Sequence, residues 1–378
     1  MFIKGVGHTR FDTNLDTSQR MIYESVIEAL DDADMSMEEI DAISISNMDI
    51  VSNGERQRHS ASIISSLLKK NAPIISVPAG CAGGGSALWT AVQLEKNPNY
   101  ENVLAIGFDK LVANTSKMIV GEILMGGERI YEQTEGLNFP AQNALVAQQY
   151  MMRYGATTDD FALVAYKNHQ NAYLNPKAKF YKKKITLEDI KGSPVVASPL
   201  RLFDCSVSCN GSVAAIITKD ETDVEIVGSS LENDYLGSFE REDMTSLEST
   251  RMAAEKAYRE AGISPDDIDI AELHDAFTPL ELISYEDLGF CKKGEGSILI
   301  RKGKTKINGD LPVNTSGGLK AKGHPISPTG LSQVYEIVKQ MRKQAGERQV
   351  SKKLEYGLTH NIGGVGSTAT IHILKNLG

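Results

Sequence analysis

Asp34-Met-Ser-Met-Glu-Glu-Ile-Asp41 runs straight into Ala42-Ile-Ser-Ile-Ser46, and Gly262-Ile-Ser-Pro-Asp-Asp-Ile-Asp269 runs straight into Ile270-Ala-Glu-Leu-His274. Both tracts carry Ser-x-(Asp/Glu)-(Asp/Glu)-Ile-Asp, at Ser36–Asp41 and Ser264–Asp269. In each, the serine can cap a helical turn whose acidic first residues suit the positive end of the helix dipole. The surroundings recur as well. The strand-like Phe2-Ile-Lys-Gly-Val-Gly7 and a helical spacing of Met21, Ile22, Val26, Ile27 and Leu30 precede the first copy. Val224-Glu-Ile-Val-Gly228 and a helical pattern from Met252 to Ala261 precede the second. A six-residue match can arise by chance, but one set twice in the same strand–helix–strand context reads as an internal repeat. Alternating strands and helices predict parallel sheets covered on both faces. The expectation is two similar α/β halves, residues 1–222 and 223–378.

From about 121 to 199 the texture changes. Met125-Gly-Gly, Gly136-Leu-Asn-Phe-Pro140, Asn175-Pro176 and Ser193-Pro194 punctuate helical stretches at Ala144–Tyr154 and Asp159–Ala172. An insertion of this length inside an α/β unit reads as a binding segment, a lid or an oligomer contact.

With 378 residues, 41% hydrophobic and 24% charged, the chain has globular composition and room for two or three domains. Its apolar runs, such as Val195–Ala197 and Val213–Ile217, fall far short of a membrane span. The start, Met1-Phe-Ile-Lys-Gly-Val-Gly7, lacks a basic region followed by an apolar stretch, so no secretory signal is expected. Four scattered cysteines make no disulfide framework, and a reducing cytoplasm is the simplest home. A net charge of −9 argues against a nucleic-acid partner. The one dense basic cluster, Lys177–Lys184, reads by itself as a solvated face. Beside an anionic coenzyme it would steer phosphates, which makes Lys179, Lys182 and Lys183 candidates for that contact.

Chemistry concentrates in Ile74-Ile-Ser-Val-Pro-Ala-Gly-Cys-Ala-Gly-Gly-Gly-Ser-Ala-Leu-Trp89. A strand ends, a cysteine follows, and a helix begins at three glycines. The dipole and free N–H groups of a helix start favour a thiolate. Small neighbours at Ala82–Gly85 leave room for a substrate against the backbone. A buried cysteine at a tight junction is the bland alternative. A thiolate nucleophile needs a base and a pocket for the oxyanion. Three histidines lie in loop settings of the second half: His274 in Glu272–Thr278, His324 in Asn314–Gly330, and His360 opening His360-Asn-Ile-Gly-Gly-Val-Gly366. Each alone reads as structural. Together, opposite a thiol in the other half, they fit a site at the junction of a duplicated fold. Gly363–Gly366 lacks a Walker or dinucleotide fingerprint, and Cys205 and Cys209 read as core or loop cysteines rather than half of a metal site.

Taken in order, the Cys81 turn, the Gly323–Pro325 tract and the closing glycines Gly363–Gly366 resemble the thiolase superfamily over nearly the full length. Tyr150–Thr157, Val164–His169 and Pro199–Cys205 are similar too. The likeness is greater to the archaeal and sterol-carrier-protein branch. His274-Asp-Ala-Phe277 stands where classical members carry Asn-Glu-Ala-Phe, and His360 aligns with their second catalytic cysteine. The sterol-carrier branch often has a cysteine at the position of Ala276. The resemblance implies an α/β thiolase fold, five-layered α-β-α-β-α with an inserted loop domain. It implies an acetyl-CoA C-acetyltransferase joining two acetyl-CoA molecules into acetoacetyl-CoA and CoA. Cys81 is then the nucleophile, and His324 is the base and part of an oxyanion pocket. His274 completes that pocket, backbone N–H groups of Cys81, Ile362 and Gly363 form a second, and His360 is the candidate acid/base. CoA thioesters are substrates, with no metal and no tightly bound cofactor. A homodimer or dimer of dimers is implied, as is a complex with hydroxymethylglutaryl-CoA synthase through a zinc-containing OB-fold protein in the mevalonate pathway. A degradative 3-oxoacyl-CoA thiolase, a thiolase-like aldolase, a β-ketoacyl synthase and a scaffold subunit are the alternatives.

Overall fold

The two repeated tracts form single helical turns, Met37–Glu39 and Pro265–Asp267, each closed by a capping box between Ser36 and Glu39 or Ser264 and Asp267. The computed structural model describes residues 1–13, 16–48, 57–112, 119, 121 and 123–378. Residue 122 of the expected insertion therefore lies outside the described residues.

Around those turns the chain runs β1 (Phe2–His8), α1 (Ser18–Ala33), β2 (Ala42–Ser46), α2 (Ser60–Leu68), β3 (Ile74–Ser76), α3 (Gly83–Glu95) and β4 (Asn102–Lys110). Then come α4 (Phe139–Tyr154), α5 (Thr158–Leu174), α6 (Leu187–Lys191), β5 (Val195–Ala197), β6 (Leu200–Arg201) and β7 (Asn210–Thr218). The rest is β8 (Val224–Asn233), α7 (Glu248–Ala261), β9 (Ile270–Glu272), α8 (Thr278–Asp287), α9 (Gly296–Arg301), α10 (Thr329–Met341), β10 (Tyr356–Gly363) and β11 (Thr368–Asn376). In α1 the apolar spacing buries Met21, Ile22, Val26, Ala29 and Leu30 on one face, and the Thr17 hydroxyl caps the helix by accepting from the Arg20 N–H.

Nine strands bond in the order β3-β2-β4-β7-β1-β8-β11-β10-β9. A single residue pair, Phe2 with Glu225, links β1 to β8 and divides the row into two groups. The sheets are mixed, not parallel as strand–helix alternation predicts. Among the described strands only β2 with β3 and β4, and β9 with β10, run parallel. Strand β7 runs antiparallel to β4 and β1, and β11 to β8 and β10. The physical reason lies in the connections. A turn as short as Gly364–Ser367 can only reverse the chain, whereas a parallel neighbour needs a crossover.

Helix α1 covers β1, β4 and β7 from outside, and α7 covers β8 and β11. Between the two strand groups lie α3, packed on β2, β4, β8 and β11, and α10, packed on β1, β7, β9 and β10. The result is helix, sheet, helices, sheet, helix. The charged stretch Lys339–Lys353 reads in sequence as an exposed helix and loop; Lys343, Gln344, Glu347 and Lys353 are exposed, whereas Gln340, Met341 and Arg348, where it leaves the almost wholly buried α10, are buried. Pairing makes this tolerable. Gln333 Nε2 donates to the His360 carbonyl at 2.8 Å, and Arg348 Nε bonds Glu336 at 2.9 Å.

Candidate active site

Cys81 sits in the Gly80–Ala82 turn that enters α3 at the junction of both sheets. The three glycines after it serve packing, not substrate access. A Cβ at Gly83 or Gly85 would overlap Ser46 Oγ or Thr370 Oγ1, and one at Gly84 would lie 2.5 Å from the Ser327 carbonyl. Those neighbours come from both halves, so only glycine lets the helix start wedge between them. No side chain of its own caps this helix.

His274 follows β9, and His324 follows the turn Gly318–Lys322. The His324 backbone N–H donates to the Val207 carbonyl at 2.9 Å, which ties its loop to the segment before β7. The two rings meet edge to face, 5.3 Å between centroids at 89°. Behind them lies a buried polar network. Asp275 accepts from Asn168 at 2.6 Å and from the Leu319 N–H at 2.6 Å, so it holds the loop that leads to His324. Asn314 Oδ1 accepts from the Leu273 N–H at 2.7 Å, while its Nδ2 donates to Glu281, which also pairs with Lys167 at 2.6 Å.

Cys81, His274, His324, Ile362 and Gly363 all line one cavity of about 220 Å³, walled by Phe139, Pro140, Ala276, Phe277, Leu280 and Ile326. Cys81 and Gly363 also line an adjoining pocket of about 360 Å³ with Pro78, Gly80, Met125 and Thr368. The nucleophile candidate thus stands between two spaces. Burial, and then the Asp109 carboxylate, push its thiol up to about 12. That opposes the thiolate preference read from the helix start: desolvation outweighs the dipole here. Burial lowers His324 to about 3, and burial with the two neighbouring histidines holds His274 well below its ordinary value. All three groups are neutral at pH 7, the state in which an imidazole can accept a thiol proton directly.

His360 does not join them. Side chains alternate along a strand. The fully buried His360 ring bonds Thr250 of α7 through Nε2 at 2.9 Å and does not line the cavity. The next residue, Asn361, faces the other way. Its Nδ2 lies 2.9 Å from the Cys81 carbonyl and 2.9 Å from His274 Nδ1, and its Oδ1 accepts from the Gly85 N–H at 3.1 Å. Sequence reading passed over Asn361, although the strand's alternation beside His360 was the available signal. It also left Cys205 as a loop or core cysteine. Its side chain lines the cavity, whereas Cys209 is buried against Gly323. Lys179 pairs with Asp12 at 2.6 Å, Lys182 pairs with Glu347 at 2.8 Å, and Lys183 lies over the Phe180 ring. None of the three lysines lines the cavity.

Residues 7–216 match the family described as "Thiolase, N-terminal domain", and residues 231–376 match "Thiolase C-terminal domain-like". The chain is 38% identical to the acetyl-CoA acetyltransferase of Methanothermobacter thermautotrophicus over 98% of each protein. It is 30% identical to human sterol carrier protein 2 over 99% of this chain and 72% of that protein. The solved Ltp2-ChsH2(DUF35) aldolase is similar with a TM-score of 0.84 and 26% identity, over 99% of this chain and 97% of that one.

Proposed function

The chain belongs to the thiolase family of acyltransferases, and from that premise we propose that it is an acetyl-CoA C-acetyltransferase that forms acetoacetyl-CoA. The observation that carries this reading is the meeting of Cys81, His274 and His324 at one cavity. Neutral His324 takes the Cys81 proton as sulfur attacks the thioester of acetyl-CoA. The bond from Cys81 to the acetyl carbon forms, the bond to CoA sulfur breaks, and CoA leaves as the thiol with the proton from His324. A second acetyl-CoA then loses an α-proton. Its enolate oxygen lies against His274 and His324, its carbon attacks the acetyl group, and Cys81 departs and is reprotonated. Backbone N–H groups of Cys81, Ile362 and Gly363 hold the oxyanion of the acetyl carbonyl. Because His360 is bonded to Thr250, we give the α-proton to Cys205, the remaining titratable side chain of the cavity wall among the described residues. Its thiolate form takes that proton, and the thiol so formed returns it to the departing Cys81 sulfur.

The same reading includes a homodimer or dimer of dimers, supply of acetoacetyl-CoA to hydroxymethylglutaryl-CoA synthase in the mevalonate pathway, and association with that enzyme through a zinc-containing OB-fold protein. Among the described residues nothing pairs the outer edge of β3, where Ile75 is 42% exposed, and a second copy would cover it. Four free cysteines fit a cytoplasmic location, and no described helix is long and apolar enough to cross a membrane. A second reading, thiolysis of longer 3-oxoacyl-CoAs, draws on the apolar wall of Phe139, Phe277 and Leu280.

Acetyl exchange and acetoacetyl-CoA thiolysis test the proposal, with longer substrates alongside. Acetylation of Cys81, lost together with activity in Cys81→Ala, is the expected result. Preference for longer substrates favours the degradative reading. A folded protein that is never acylated points to the aldolase-like or scaffold alternatives.

A further inference from the structure

The Asn361 side chain meets four groups from distant parts of the chain: the Gly85 N–H, the Cys81 carbonyl, His274 Nδ1 and, at 3.5 Å, Thr329 Oγ1. A carboxamide has one acceptor oxygen and an NH2 with two hydrogens. The Gly85 N–H, 3.1 Å from Oδ1, can only donate. The Cys81 carbonyl, 2.9 Å from Nδ2, can only accept. These two partners fix the orientation of the amide, and of the two groups left to the second N–H hydrogen, His274 Nδ1 at 2.9 Å lies well inside Thr329 Oγ1 at 3.5 Å, so that hydrogen points at the ring nitrogen. That nitrogen must then carry its lone pair, and the ring's single hydrogen is on Nε2. The His274 ring lines the cavity, while His324 is 94% buried and its Nδ1 has no hydrogen-bond partner among the described residues. The cavity therefore holds an N–H donor on one imidazole and a second imidazole beside it.

We infer that Asn361 is a positioning residue that holds His274 as the Nε2–H tautomer and ties that donor to the Cys81 turn. The inference rests on the acyl-transfer reading given above. The ligand it serves is the developing enolate oxygen of a CoA thioester, which needs a donor and would be repelled by a bare nitrogen. The same amide caps the uncapped start of α3 at Gly85 from the opposite half of the chain. Nucleophile, helix start and donor are set by one side chain.

Asn361→Asp tests this while keeping shape. A carboxylate can still accept from Gly85, but it has no hydrogen for His274 Nδ1 and faces the Cys81 carbonyl with like charge. The His274 ring must then protonate Nδ1, and Nε2 turns from donor to acceptor or the ring becomes cationic. Nitrogen-15 NMR of histidine-labelled protein without substrate reads this directly, with His274 signals identified by their loss in His274→Asn. In the wild-type protein we expect a bare Nδ1 and a protonated Nε2, and in Asn361→Asp a protonated Nδ1. Condensation should fall about 100-fold or more in kcat, with a much smaller change in KM, as for loss of one oxyanion donor. In a His274→Asn background, whose amide can turn either way, Asn361→Asp should cost at least about 10-fold less. A protonated Nδ1 in the wild-type protein overturns the inference, as does an equal cost of Asn361→Asp in both backgrounds. Absence of thiolase activity in the wild-type protein, with the expected tautomer, overturns only the acyl-transfer reading.

Discussion

Cys81 and His324 face the same cavity in their uncharged forms, and that sets the pH behaviour of the thiol. Burial and Asp109 raise Cys81 to about 12, while burial lowers His324 to about 3. A raised thiol pKa leaves the protonated form dominant at neutral pH. Each added pH unit then brings about tenfold more thiolate until the pKa is reached. Inactivation by iodoacetamide should climb throughout from about pH 6 to pH 10. A plateau near neutrality would reveal a resident thiolate–imidazolium pair and contradict this picture. For Cys205, raised to about 11 mainly by burial, the role at the substrate α-carbon has its own test. Cys205→Ala should still acquire an acetyl group on Cys81, yet condense at least about 100-fold more slowly. Full condensation by the variant would remove Cys205 from the mechanism. At this scale Cys81, His274 and His324 were legible because each stands in a loop rich in turn residues. Asn361 was legible only as the alternate residue to His360 on its strand, and its partners Cys81 and Gly85, like the cavity that Cys205 lines, are set by packing between distant parts of the chain.

Secondary elements decide which neighbouring residue enters the site. Along β10 the period of two sends His360 to Thr250 and Asn361 to Cys81, so alignment on the closing glycines chose a side chain on the wrong face. The glycine run shows the same limit from the other side. Its spacing announced a helix start, but the reason for three glycines emerged only from Ser46, Ser327 and Thr370 crowding against it. Gly85→Ala should therefore lower unfolding stability by roughly 1–3 kcal/mol, as overpacking does. Denaturant titration measures it, and an unchanged midpoint would refute the wedge. The stretch that leaves helix α10 was legible only in part. Within Lys339–Lys353, read as an exposed helix and loop, Lys343, Glu347 and Lys353 are exposed, whereas Gln340 and Arg348 are buried and bonded to Glu336.

The molecule as a whole buries six of its seven histidines: His8, His169, His274, His324, His360 and His372. Burial lowers all six, with His169 at about 2 and His372 at about 4. Below the ordinary histidine value the unfolded chain takes up protons that the folded chain refuses, so stability falls as pH falls. Each pH unit costs roughly 1.4 kcal/mol per histidine, set against a total stability of about 5–15 kcal/mol. Asp275, raised to about 7 chiefly by burial and Glu281, opposes this, as do Asp204, Glu272 and Asp287, whose carboxyls burial also raises; the six histidines outnumber these four. The melting temperature should drop steeply between about pH 6.5 and pH 4.5. His169→Phe should flatten the drop, since among the described residues His169 has no hydrogen-bond partner on either nitrogen and it lies against Phe180 and Phe203. A melting temperature level down to pH 5 would contradict the neutral buried state.

By itself the sequence determined the internal repeat, most elements and their order, the thiol at a helix start and two of the histidines that share its cavity. These are local signals, written in hydrophobic period, capping residues and turn chemistry within a few tens of residues. Only the tertiary structure decided the mixed strand directions, the central position of α10, the turn of His360 away from the cavity, and the contacts of Asn361 with the Cys81 turn and His274. Each of those depends on which surfaces pack across the two halves, and a contact between residues nearly three hundred apart leaves no period in the chain to read.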